Sequence, residues 1–286
     1  MEKHELLIEP GNTSALLKRL GVEAKKRFGQ NFLIDRKVLE RILDGAEIGP
    51  DDHVLEIGPG IGSMTQLLCM RAGRVTAVEI DRSLIPVLEE TLQGFDNVRI
   101  VNEDILQADL QALTEGKPYK VVANLPYYIT TPVLMLLLES GVPAQSITVM
   151  VQKEVAERMT AAPGGKDYGA LSLAVQYHSR PELLVKVPAG CFLPRPSVDS
   201  AVVRLQMYET PPVDAKDPAF MFRLIRAAFG KRRKTLLNAL SSDPSLALGK
   251  DDVREALRKL GEKEDVRGER LSLSAFAALS ELLGPA

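Results

Sequence analysis

The stretch His53-Val54-Leu55-Glu56-Ile57, followed at once by Gly58-Pro59-Gly60-Ile61-Gly62, leaves few folds open to this chain. Five residues rich in β-branched and aliphatic side chains read as a buried strand. The glycines that follow let the backbone turn sharply and approach a ligand closely, and the spacing predicts a helix over 63–71. Strand, glycine-rich turn and helix together form the first unit of a nucleotide-binding α/β sheet. Position 63 is serine, where the dinucleotide fingerprint G-x-G-x-x-G needs a glycine.

The same alternation continues downstream. Apolar runs predict strands at 74–78, 98–101, 119–123 and 146–151, with helices over 35–46, 83–93, 133–138, 153–160 and 170–177 between or after them. Two alternating segments, 182–187 and 200–207, predict a closing antiparallel pair. A proline-stiffened loop, Cys191-Phe192-Leu193-Pro194-Arg195-Pro196-Ser197, joins them. Three prolines within 208–218 read as a linker, and four helices follow near 218–230, 231–241, 250–260 and 273–283. A short helix over 15–20 is expected at the N-terminus. The expected architecture is an α/β sheet domain over 25–208, preceded by an arm (1–24) and followed by a small helical domain (209–286).

Acidic residues recur at the strand ends. Glu79 follows the second strand about 20 residues beyond the glycines, the position from which a carboxylate accepts hydrogen bonds from ribose hydroxyls. Asp81 is placed to cap the next helix. Asp104 follows the third strand, within reach of an adenine amino group. Together with the glycine turn, these acids describe a nucleoside-shaped site.

The fourth strand runs out into Asn124-Leu125-Pro126-Tyr127. Thr131 is expected to cap the following helix, with Pro132 in its first position. An amide, a proline and two aromatics at the carboxyl end of a buried strand suit the holding of a nucleobase. The lone pair of an exocyclic adenine amine is delocalised into its ring, so the amine is a poor nucleophile. The Asn124 side-chain oxygen and the Leu125 carbonyl, kept in place by Pro126, would hold both N–H groups and stabilise positive charge developing on nitrogen. Tyr127 offers a stacking face for a base taken out of its stack. This chemistry needs no strong general base, in keeping with three scattered histidines and two distant cysteines that offer neither a metal site nor a histidine-based centre.

Net charge of −2 and an isoelectric point near 6.0 run against the basic excess usual in nucleic-acid binders. The positive charge is clustered, however, at Lys18-Arg19, Lys25-Lys26-Arg27 and Lys231-Arg232-Arg233-Lys234, with Phe28 and Phe229 nearby. No run of about 18 apolar residues is present and the first residues form no apolar signal region, so no membrane association and a cytoplasmic location are expected.

Five segments in order carry a family resemblance: Lys26-Arg27-Phe28-Gly29-Gln30-Asn31-Phe32-Leu33, Glu56-Ile57-Gly58-Pro59-Gly60, Asn124-Leu125-Pro126-Tyr127, Gln152-Lys153-Glu154-Val155, and Pro196 through Leu205 with Val198-Asp199-Ser200-Ala201-Val202-Val203-Arg204. In them the chain resembles the ribosomal RNA adenine dimethyltransferases of the bacterial small-subunit type. The resemblance implies a class I methyltransferase fold, a Rossmann-like seven-stranded sheet with one antiparallel strand and a small all-α C-terminal domain, with S-adenosylmethionine as cofactor. It implies N6,N6-dimethylation of two adjacent adenosines in the 3′-terminal hairpin loop of small-subunit rRNA. The implied partner is a pre-ribosomal 30S particle, met by a monomer. Cofactor contacts would fall on Asn31, Leu33, Gly58, Gly60, Glu79, Asp104 and Asn124. Leu125, Pro126 and Tyr127 would act with Asn124, and Tyr127 and Phe192 would sandwich the target adenine. A large-subunit rRNA adenine methyltransferase of the antibiotic-resistance type shares these motifs. A dinucleotide-dependent oxidoreductase and a non-catalytic ribosome-assembly factor are the readings from other classes.

Overall fold

The computed structural model describes residues 7, 15, 18, 19, 25, 29–231 and 233–284. Most of the expected helix over 15–20, residues 26–28 and Arg232 fall outside them. In chain order the strands are β1 (Phe32–Leu33), β2 (His53–Ile57), β3 (Arg74–Glu79), β4 (Val98–Asn102), β5 (Tyr119–Asn124), β6 (Ala144–Gln152), β7 (Ser179–Val187), β8 (Phe192–Leu193) and β9 (Ser200–Met207). The helices are α1 (Arg36–Gly45), α2 (Ser63–Arg71), α3 (Ile85–Thr91), α4 (Leu110–Thr114), α5 (Thr130–Glu139), α6 (Lys153–Met159), α7 (Ala170–His178), α8 (Pro218–Gly230), α9 (Leu236–Ser241), α10 (Lys250–Lys259) and α11 (Leu273–Leu283).

Seven strands form one sheet in the order β4-β3-β2-β5-β6-β9-β7. Strands β2 to β6 pair in parallel, and β9 lies antiparallel to β6, with Ser200 opposite Gln152. This is the class I methyltransferase arrangement. The strand order reverses between β2 and β5, the place where open α/β sheets bind ligands at their carboxyl ends. Register puts Ile57 beside Val78 on one side and Ala123 on the other, while Glu79 stands beside Asn102. The glycine turn, Glu79, Asp104 and Asn124 therefore emerge next to one another.

Two compact units divide the chain: Met1–Ala156 with Pro181–Met207, and Glu157–Arg180 with Tyr208–Ala286. In the first, Asp35 caps α1 by accepting the Val38 N–H at 3.1 Å. The buried stripe Val38, Leu39, Ile42 and Leu43 then packs with Val54, Val75, Val122 and Val202 from the sheet. Helical spacing thus becomes a buried face, each of whose side chains contributes on the order of 1.5–3 kcal/mol on leaving water. The second unit has its own core, built from α8 (Met221, Leu224, Ile225), α9 (Leu236, Leu240), α10 (Val253, Leu257) and α11 (Phe276, Leu279). It also takes in Glu157–Arg180, a stretch that sequence reasoning placed with the sheet domain.

Three local expectations are corrected. Helix α5 starts at Thr130 with Ile129 in the capping position and no side-chain cap, so Thr131 does not cap it and Pro132 lies inside the first turn. The reason is that the Pro126 carbonyl accepts the Ile129 N–H (3.1 Å) and the Thr130 hydroxyl (3.3 Å), so the chain turns straight from the tetrapeptide into helix. The helix expected over 231–241 is shorter, since the Thr235 side chain accepts the Asn238 N–H and starts it at Leu236. Phe192 and Leu193 are not loop but the short strand β8, antiparallel to β1, with Phe192 opposite Leu33.

Candidate active site

The carboxyl ends of β2, β3 and β5, with the segment 29–31 and β8, enclose a cavity of about 320 Å³. That is the lower end of the range found for small-molecule sites. Of the residues singled out from sequence, Asn31, Gly58, Glu79, Asp104, Asn124, Leu125, Pro126, Tyr127 and Phe192 all line it. Leu33 does not; it lines a smaller neighbouring cavity of about 30 Å³, together with Glu56, Ser63 and Asn124. Gly60 lines neither, and acts through its backbone.

The glycine turn is held by close packing. Gly60 has φ +62°, and a β-carbon there would stand 3.1 Å from the Phe32 ring. Its N–H donates to Glu79 Oε2 at 3.2 Å, while the Asp81 N–H donates to Oε1 at 2.8 Å. Glu79 is 4% exposed. Burial pushes its carboxyl above the usual carboxylate range, with the N–H groups of Asp81 and Gly60 pulling the other way. Each carboxylate oxygen has a second lone-pair site, so Glu79 retains acceptor capacity toward hydroxyls in the cavity. Asp104 stands two residues beyond β4, its Oδ1 accepting the Leu106 N–H at 3.0 Å. Apolar Ile80, Ile105 and Leu106 form the walls near these acids. Acceptors for a diol, a carboxylate for an exocyclic amine and apolar faces for a ring make a donor set that fits S-adenosylmethionine.

Asn124 is the last residue of β5. Its Nδ2 donates to the Asn31 carbonyl at 3.1 Å, which settles the orientation of the amide. The Oδ1 atom has no donor among the described residues. The Leu125 carbonyl likewise accepts no hydrogen bond there, while the Leu125 N–H is fixed to the Met150 carbonyl at 3.2 Å. The Tyr127 hydroxyl shares a hydrogen bond of 3.0 Å with the Ser200 hydroxyl, which fixes the plane of its ring. Phe192 is fixed by the β1–β8 ribbon.

Behind the glycine turn lies Glu56, fully buried with neither carboxyl oxygen in a hydrogen bond. Burial pushes it up to about 8, with the neighbouring Thr65 side chain pulling the other way and Glu79 adding to the rise. Sequence reasoning also missed Tyr128, 57% exposed and lining the cavity, although it directly follows the tetrapeptide. Gln30 and Gly29 line it too. The unusual amide pair Gln30-Asn31 between two phenylalanines was the available signal for that segment.

Comparison with known sequences decides the family. The sequence model described as ribosomal RNA adenine dimethylase matches residues 21–274. The chain belongs to the ribosomal RNA adenine dimethylase family. It is 54% identical over 280 residues to the ribosomal RNA small subunit methyltransferase A of Lachnoclostridium phytofermentans, covering 96% of this chain and 97% of that one. It is 50% identical over 283 residues to the protein of the same name from Moorella thermoacetica, covering 96% and 97%. Among solved structures, the 23S rRNA methyltransferase ErmE is 30% identical with a TM-score of 0.69, over 89% of this chain and all of that one. A dimethyladenosine transferase from Plasmodium falciparum shares the fold at 24% identity and a TM-score of 0.70, over 86% and 94%. As a member of this family the chain is an S-adenosylmethionine-dependent rRNA adenine dimethyltransferase acting on the small-subunit RNA. The oxidoreductase reading is set aside.

Proposed function

We propose that the chain methylates the N6 amino groups of two adjacent adenosines in the 3′-terminal hairpin loop of small-subunit rRNA, placing two methyl groups on each. It acts as a monomer on an assembling 30S particle in the cytoplasm. The observation that carries the chemistry is the Asn124 amide, turned by the Asn31 carbonyl so that Oδ1 is left for a ligand in the cavity.

When bound, S-adenosylmethionine supplies an electrophilic methyl group. Glu79 accepts the ribose hydroxyls, Asp104 accepts from the cofactor adenine amine, and Gly58 and Asn31 border the rest. Asn124 Oδ1 and the Leu125 carbonyl take the two N–H bonds of the target amine. They favour a pyramidal nitrogen and stabilise the charge that grows on it. In the second transfer one acceptor holds the remaining N–H. Tyr127 and Phe192 stack on the base and stand in for its neighbours in the RNA. The proton is lost to solvent from a quaternised nitrogen, so no side chain needs to act as a base. The helical unit, where Arg233 and Lys234 are exposed, binds the phosphate backbone.

Incubating unmethylated small subunits and, separately, large subunits with labelled S-adenosylmethionine and mapping modified bases tests this reading. The expected product is dimethyladenosine at two neighbouring positions of the small-subunit 3′ loop. Label confined to large-subunit RNA would overturn it.

A further inference from the structure

Asp81 is only 3% exposed, and it carries more hydrogen bonds than a helix cap requires. Capping the short 3₁₀ turn at Arg82–Leu84 takes one bond, from the Ser83 N–H to Oδ1 at 3.1 Å. The Ser83 hydroxyl adds a second at 2.8 Å. The remaining bonds come from far upstream in the chain. Lys25 Nζ donates to Oδ1 at 2.8 Å and Gln30 Nε2 to Oδ2 at 3.0 Å. Gln30 Oε1 in turn accepts the Lys25 backbone N–H at 2.8 Å, so these residues form a closed set on one carboxylate. Burial alone would raise the Asp81 pKa, but the bonds from Lys25, Ser83 and Gln30 outweigh it and hold the group at about 2.

Both ends of this set reach the cavity. Through its backbone N–H, Asp81 holds Glu79 Oε1. Through Gln30 it holds the segment Gly29, Gln30 and Asn31, all of which line the cavity. The Asn31 carbonyl then holds the Asn124 amide. The path Glu79–Asp81–Gln30–Asn31–Asn124, hydrogen bonds joined by the Gln30–Asn31 peptide, thus links two side chains that line the cavity.

We propose that Asp81 is a positioning residue that fastens Lys25 and residues 29–31 beside the methyl-donor pocket and thereby sets the Asn124 amide. The inference rests on the donor occupying the cavity described above. Bonds to a charged, buried acceptor are among the stronger ones, so their loss is felt in donor retention.

The test uses the full chain and S-adenosylhomocysteine, with affinity measured by calorimetry and segment order by amide hydrogen exchange of the ligand-free protein. The double variant Lys25→Ala/Gln30→Ala is expected to weaken binding about tenfold and to speed exchange over residues 29–31. Asp81→Ala is expected to do the same, and combining all three changes should add less than about twofold. Additive losses would mean that Asp81 acts through Glu79 alone, and unchanged exchange or affinity in the double variant would also overturn the inference. Should Asp81→Ala fail to fold, the double variant decides. Glu79→Ala separates the two claims: unaltered binding there would defeat the pocket assignment, whereas lost binding there with normal binding in the double variant defeats only the latch.

Discussion

Asn124 donates its side-chain N–H to the Asn31 carbonyl across 93 residues of sequence, at 3.1 Å. An amide so held cannot flip without losing that bond, and its oxygen accepts from no donor among the described residues. Asn124→Ala is therefore expected to fold normally and to bind S-adenosylhomocysteine, while the methylation rate falls by ~10²–10³. A rate within a few-fold of the parent enzyme would remove Asn124 from the centre of the mechanism.

Ser200, at the start of β9, holds the Tyr127 hydroxyl at 3.0 Å. Ser200→Ala frees the ring without removing it. At roughly 1 kcal/mol for a neutral hydrogen bond, KM for the RNA substrate should rise about fivefold with donor affinity unchanged. Parallel loss of donor affinity would show that the bond serves the sheet rather than the base.

Glu56 makes stability depend on pH. Its folded value is about 8 against an ordinary 4.5, so the folded protein binds more protons than the unfolded one between those values. Stability from this group is complete below pH 4.5, declines as pH rises, and is exhausted above about 8. Glu56→Gln should flatten that decline and raise the unfolding midpoint at pH 8 relative to the parent. Denaturant titrations at several pH values give the comparison, and identical slopes for both proteins would contradict it.

The exposed pair Arg233 and Lys234 supplies a phosphate-binding test. Arg233→Glu with Lys234→Glu should weaken binding to small subunits at least tenfold and reduce the salt dependence by roughly one phosphate contact per residue. Donor affinity should be untouched. A binding curve with an unchanged salt slope would place the RNA surface elsewhere.

Much of the fold was legible because its signals are local. The strand at His53–Ile57 and the helix at Ser63–Arg71 stand where alternation and glycines place them. Asp81 caps as its side chain suggests, whereas Asp35, expected as the first residue of α1, stands just before it as the cap. The cavity residues at strand ends were legible for the same reason, since parallel strands bring their carboxyl ends together whatever their separation in sequence. What escaped depends on distant partners. Nothing near Phe192 announces that it pairs with Leu33, some 160 residues away, and nothing near Asp81 announces Gln30. The start of α5 differs from the expected one because Thr131-Pro132 is a good local cap, and the carbonyl of Pro126 outcompetes it. Glu56 gives no signal in the sequence because a single acid within an apolar strand carries no period of its own.

The β1–β8 ribbon has a temporal consequence. Leu33 stands two residues beyond Asn31, which lines the cavity, and Phe192 is one of the cavity's walls, yet Leu33 and Phe192 are opposite residues of one antiparallel pair. The Ile34 N–H to the Cys191 carbonyl, at 2.9 Å, extends the same seam. On the proposed reading, any displacement of residues 29–31 during donor exchange would be passed through that seam to Phe192. Each round of donor exchange should therefore slacken the hold on the adenosine. The enzyme is expected to release partly methylated RNA between rounds, visible as transient monomethyladenosine early in a time course.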